Sequence, residues 1–296
     1  MIILLSVACE QPRPQQTTFK IGVVVRNENK AGDKELLKEL KANFDKLVKA
    51  SDDDYYLVNR SGEDDQEIQL AMIDELLKDG VDLLIVELVQ IYAAATVVAK
   101  AIEVGVPVIF INVQPGNDAD IQRWPGMTIF VGGYITDGYD MLAQYLNRQD
   151  NNGDTNNNSM LDFSWFVTDP TFIDKETAGH YNLSGSYSSE LKDYEIVKNS
   201  KAAVKYLLKS KHYKELDAVF YDDLSIAGEI LTIKKAGLYI LALDVNPLSD
   251  DLPDIDAIVI PDYPKQAAKT AEMTKLILQG KSVDIHQLID WKLVNK

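Results

Sequence analysis

Two kinds of apolar stretch alternate along the chain. Leu83–Val86 and Val106–Ile111 are short, almost unbroken apolar runs, as expected of strands covered on both faces. Between them, Ala93–Val104 is Ala-rich with apolar residues at helical spacing, and Gly105 stands where such a helix ends. Val81–Pro115 therefore predicts a βαβ unit with a right-handed crossover. Its strand-end loops, Glu87–Tyr92 and Asn112–Pro115, then fall on one edge of the sheet. Ligands of open parallel sheets bind at that carboxyl edge. On this ground Asn112 is either a ligand contact or the polar residue that closes a strand.

The same alternation extends to both sides. Lys20–Val25 and Tyr55–Val58 predict strands. Asp33–Ala50 predicts a helix with one buried stripe of Leu36, Leu37, Leu40, Phe44, Leu47 and Val48. Asp64–Lys78 predicts a helix whose opening acids face the positive end of its dipole. Met127–Val131 reads as a strand and Thr136–Leu146 as a helix capped by Thr136. The pattern then repeats. Strands are expected at Leu161–Val167, Asp217–Tyr221, Tyr239–Leu243 and Ala257–Ile260, and helices at Tyr194–Leu208, Leu224–Ala236 and Tyr263–Leu278. In Thr168–Asp193, Gly179, Gly185 and clustered Ser residues argue against a long helix, so the second half reads as a pruned copy of the first. Alternating strands and helices define an α/β protein, and 296 residues accommodate two doubly wound lobes.

One stretch belongs to neither pattern. Gln149–Ser159, QDNNGDTNNNS, offers nothing to a core. Asp150, Asn152, Asp154, Asn156 and Asn158 alternate in it, with Gly153 easing the turn. Oxygen side chains on every second residue of a tight loop can face one hard cation. The twelfth position is Leu161 rather than a bidentate acid, so this is no EF-hand. Either the loop is a solvated linker, or a distant carboxylate completes a metal shell.

Charge and cysteine usage narrow the function classes. A net charge of −16 argues against nucleic acid, which requires clustered Lys and Arg. The single cysteine, Cys9, excludes an internal disulfide. It follows the short apolar segment Ile2–Ala8, and Leu5-Ser6-Val7-Ala8-Cys9 fits a bacterial lipoprotein signal in which the cysteine is lipidated. The other interpretation is a frayed apolar N-terminus. His180, His212 and His286 fall in no nucleophile or metal motif, and the Asp222-Asp223 pair needs no catalytic role, so no enzyme is expected.

The phrases KIGVVV, VDLLIVELVQIYAAATVVAKAIEVGVPVIFIN, DAVFYDDLSIAG and ILALDVNP, in this order, resemble the galactose/glucose-binding proteins of bacterial sugar uptake and chemotaxis. The resemblance runs from about Phe19 to Lys281. It implies two Rossmann-like lobes joined by three crossing segments, near Gly132, Pro261 and Val283. The first lobe would comprise residues 19–131 and 261–282, the second 132–260 and 283–296, after a signal and tether over 1–18. The family also holds a structural calcium between its lobes. The resemblance places Asp150, Asn152, Asp154, the carbonyl of Asn156, and either Asp162 or Asn158 around it, with Asp217 as the bidentate acid.

The sugar site matches less well. Asn112, Asp174 and Asp244 stand at ligand-binding positions of the family, and Asp222 stands where an Asn is usual. Phe172 replaces a His, Ala178 an Arg and Pro261 an Asn, while Lys30 and Gly32 occupy the positions of an Asp and a stacking Phe. Losing several charge-assisted bonds of about 1–3 kcal/mol each would exhaust ordinary micromolar affinity. The expected function is a lipid-anchored solute-binding protein of the cell envelope. It would deliver a small polar, sugar-like ligand to an ABC transporter permease, with the hexose site largely degraded. The alternative is a relative of the same fold that docks to a chemoreceptor or sensor kinase.

Overall fold

Two six-stranded sheets, each flanked by helices, carry the fold in a computed structural model that describes residues 17–167, 188–196, 200–222, 227–244 and 254–295. The first sheet begins with β1 (Thr18–Val25), α1 (Ala31–Lys49), β2 (Asp54–Ser61), α2 (Gln66–Lys78) and β3 (Leu83–Val86). It continues through α3 (Ala94–Val104), β4 (Val108–Ile111), α4 (Asp118–Ile121) and β5 (Thr128–Gly132). The chain then crosses into α5 (Ile135–Asn147), β6 (Met160–Val167), β7 (Ser188–Ile196) and α6 (Ser200–Lys209). Next come β8 (Ala218–Tyr221), α7 (Ala227–Leu231), β9 (Tyr239–Leu243) and β10 (Ala257–Ile260). It returns to the first lobe for α8 (Tyr263–Leu278) and β11 (His286–Leu288), and ends in the second sheet with β12 (Lys292–Asn295).

The two sheets have the same design. Their orders are β2-β1-β3-β4-β5-β11 and β7-β6-β8-β9-β10-β12, parallel throughout except for β12, which runs antiparallel to β10. In each, the strand order reverses beside the first strand, between β1 and β3 and between β6 and β8. In doubly wound sheets that is where ligands enter.

The unbroken apolar runs have a direct cause. Leu83 and Ile85 of β3 join one core with Leu36, Leu40 and Phe44 of α1 and Ala267 of α8. Leu84 and Val86 join the other, with Ile73 of α2 and Val97 and Val98 of α3. Both faces of the strand are thus buried, and each fully buried side chain of this size contributes about 1.5–3 kcal/mol. Asp65 caps α2 by accepting from the backbone N–H groups of Glu67 and Ile68, and α3 ends on Gly105 in the left-handed region (φ 75°), as its position predicts.

Four expectations need correction. Thr136 is not a cap: α5 starts at Ile135 after an extended Tyr134, with no side-chain cap. Residues Tyr194–Ile196 are not helical, because β7 pairs in parallel along the whole of β6 and the helix begins only at Ser200. That strand gives the second sheet as many strands as the first, while Thr168–Asp193, where no long helix is expected, falls largely outside the described residues. The helix expected over Leu224–Ala236 ends at Leu231. The third crossing lies at Ile289–Trp291 rather than near Val283, because His286–Leu288 pairs with Phe130–Gly132 and extends the first sheet. Residues 283–288 therefore belong with the first lobe.

Candidate functional site

At the switch point of the first sheet the chain leaves β1 at Arg26 and β3 at Glu87. Glu87 is wholly buried. Helix α2 fixes its backbone: the Gln69 side-chain amide donates to the Glu87 carbonyl (2.8 Å) and accepts from the Val89 N–H (3.0 Å). Its carboxylate accepts from Asn112 Nδ2 at 2.6 Å and from the Arg26 backbone N–H at 3.3 Å. Asn112 closes β4 with φ 62°, a left-handed conformation that Asn tolerates better than most residues, and that turn carries its side chain to Glu87.

Asp33, in the first turn of α1, is buried beside this pair. It accepts from the Asn27 backbone N–H at 2.6 Å and its carboxyl is hydrogen-bonded to Glu87. Burial, and then the charge of Glu87, push its pKa up from 3.8 to about 9. Two carboxyls in contact cannot both ionise at low cost, so Asp33 keeps the proton and donates it to Glu87.

Tyr263, the first residue of α8, is buried near this edge. Burial raises its phenol well above the ordinary value. The charges of Glu87 and Asp33 from the first lobe and of Asp244 from the second raise it further, against Arg26. Asp244 follows β9 and is buried, and Asp222 follows β8 and is half-buried at the same carboxyl edge. The structure thus brings Asn112 and Asp244 to one region, with Asp222 on the same edge. Asp174 lies outside the described residues, as does Cys9. Sequence reasoning missed Glu87, Asp33, Arg26 and Tyr263. The available signal was an acid placed directly after the LLIV run.

The crossings between the lobes pack tightly. Trp291, in the third, donates its indole N–H to the carbonyl of Tyr134 in the first at 2.8 Å. A Cβ on Gly133 would come within 2.3 Å of that indole nitrogen. Buried Gln266 donates to the carbonyl of Val131 (3.1 Å), tying α8 to the end of β5 just before the first crossing. Asp262, in the second, caps α8 through the Lys265 N–H (3.3 Å) and pairs with Lys292 at 3.1 Å. Burial opposes its charge, yet the contacts with Lys292 and Lys265 hold its pKa below the ordinary value.

The acidic loop does gather the expected residues, but through hydrogen bonds. Asp217 is fully buried. One of its oxygens accepts from Thr155 N (2.8 Å), Thr155 Oγ1 (2.8 Å) and Asn156 N (3.3 Å), and the other accepts from Asp162 N (2.9 Å). Burial raises the Asp217 pKa and these donors oppose the rise. Asp154 accepts from the N–H groups of Asn158 (3.2 Å) and Ser159 (2.9 Å), and Asp162 accepts from Asn158 Nδ2 (2.8 Å). Asn152 lies in the turn with φ 53°, and Asp150 is exposed. Asn156 turns its N–H, not its carbonyl, toward Asp217. A bidentate ligand needs open lone pairs on both oxygens, whereas one oxygen of Asp217 already takes three donors. This arrangement does not fit calcium, and among the described residues no three acid, His or Cys side chains are grouped to hold an ion.

Two doubly wound lobes are joined by three crossings, with a buried polar edge where they meet. The model of the periplasmic binding protein domain matches residues 28–282, and the chain belongs to that family. Solved structures share the fold at low identity. A periplasmic solute-binding protein of an ABC transporter from Actinobacillus succinogenes, with bound D-allose, superposes with a TM-score of 0.71 at 14% identity, over 94% of this chain and 98% of its own. A solute-binding protein from Bacillus halodurans with bound myo-inositol gives 0.67 at 17% identity, over 95% of each chain. A glucose-galactose binding protein from Geobacillus stearothermophilus gives 0.69 at 14% identity, over 95% of this chain and 98% of its own.

Proposed function

We propose that this chain is an extracytoplasmic solute-binding protein of an ABC transporter that closes on a small neutral polyhydroxylated ligand. The observation that carries the reading is the convergence of Glu87 and Asp33 from the first lobe with Asp244 from the second around Tyr263. Hydroxyl groups both donate and accept, and carboxylates make strong acceptors for them. Asp64 lies 4.0 Å from the guanidinium of Arg26 and 3.0 Å from the ammonium of Lys30, so an acidic edge whose nearby cations are already paired disfavours anionic ligands. D-allose and myo-inositol, bound by two proteins of similar fold, belong to the proposed chemical class.

The hexose site of the resembled family is largely replaced in this reading. Asn112, the best-matched position, directs its amide to Glu87 at 2.6 Å. Cys9 carries lipid and tethers the protein to the membrane surface. Calorimetry against neutral sugars, cyclic polyols and acid sugars tests the site. At least one neutral polyol is expected to bind, glucose and galactose only weakly, and acid sugars not at all. A micromolar constant for either hexose would overturn the replacement, and preferential binding of an acid sugar would overturn the proposed ligand class.

A further inference from the structure

We infer that the loop from Asp150 to Asp162 is closed on Asp217 as a cation-free clasp, with N–H and O–H groups of this chain standing where the resemblance assigns calcium. Three observations carry this. Asp217 receives four donors from Thr155, Asn156 and Asp162, and three of them converge on one oxygen, which leaves that oxygen no open position for a bidentate cation contact. Two of the three loop acids are turned inward on N–H donors as well, Asp154 on Asn158 and Ser159, and Asp162 on the Asn158 amide, while Asp150 is exposed.

The third observation is a resident positive charge. The Lys235 ammonium sits on the carbonyls of Tyr213 (2.8 Å) and Lys214 (3.1 Å), close enough to Asp217 to interact with its charge. The turn that follows Lys235 supports the loop directly: Gly237 packs so closely on Thr155 that a Cβ there would lie 3.3 Å from the Thr155 Cβ. The loop that joins α5 to β6 is thereby fastened to the start of β8 by the Asp217 carboxylate.

Thermal unfolding of the whole protein in chelator and in millimolar calcium tests the clasp, with calcium alone as titrant in calorimetry. The expected result is one Tm in both buffers and no binding heat. Asp217→Asn should lower Tm by the same amount in each, because an amide turns donors toward the N–H groups it must accept from. Should that variant not fold, Thr155→Ala removes a single donor and should lower Tm by roughly 2 °C, the shift expected for one net hydrogen bond. A calcium-dependent rise in Tm, stoichiometric calcium heat, or a Tm unchanged by Thr155→Ala each overturns the clasp.

Discussion

The side-chain amide of Asn112 donates to the carboxylate of Glu87 at 2.6 Å, linking the ends of two neighbouring strands at the floor of the cleft. Both residues are buried, so the bond compensates a charge that water cannot reach. Asn112→Ala should cost about 1–3 kcal/mol in urea unfolding from the missing donor. The left-handed backbone at φ 62° adds strain for Ala, and Asn112→Gly removes that strain while still losing the bond. Glycine should therefore recover only part of the loss. A variant with the wild-type urea midpoint would show that Glu87 does not depend on Asn112.

Asp33 predicts how stability depends on pH. Its folded-state pKa, about 9, lies above the ordinary 3.8, so the folded protein holds a proton that the unfolded chain has released. The stabilising contribution is complete below about pH 4 and is withdrawn as pH climbs toward 9. Asp33→Asn keeps an oxygen for the Asn27 N–H and a donor for Glu87 without titrating. The variant should gain stability relative to wild type as pH rises from 6 to 9, read as a diverging urea midpoint. Parallel curves would refute the shared proton.

Gly133 and Trp291 predict the response of the hinge to a single methyl. The 2.3 Å approach that a Cβ would make to the indole nitrogen forces one crossing to move. Gly133→Ala should cost about 1–3 kcal/mol, as overpacking does. It should also break the indole bond to Tyr134, visible as a shift in tryptophan emission. Emission and stability both unchanged would mean that the crossings do not lock.

The anchor is tested in a bacterial host. Wild type should partition with membranes and Cys9→Ser should release it. A wild type that is soluble and unprocessed would show Met1–Cys9 to be no lipoprotein signal.

The fold was legible wherever a strand is buried on both faces. Leu83–Val86 and Tyr239–Leu243 carry their assignment in composition alone, because neighbours on either side require apolar residues at every position. β7 was not legible. Its acids and lysine suit a helix surface as well as an outer strand, and only pairing with β6 decides between them. The site shows the same division. Asn112 and Asp244 follow apolar runs and could be placed by position, whereas the Asp33–Glu87 contact joins a helix start to a distant strand end. Three of the four donors to Asp217 are backbone N–H groups, which residue type does not reveal.

The route of the chain through its crossings bears on how the protein is made. The sheet that starts at Thr18 is finished by His286–Leu288, after the entire second sheet but β12 has been laid down, and the helix that covers β1 and β3 beside α1 is α8. During N-to-C synthesis the early lobe therefore leaves the ribosome with the apolar side of β1 and β3 uncovered beside α1 until residues 263–278 emerge. Neither lobe can complete its core as an autonomous unit. Folding should proceed as one late step, sensitive to truncation of the last strands, and unfolding should follow a single cooperative transition rather than two.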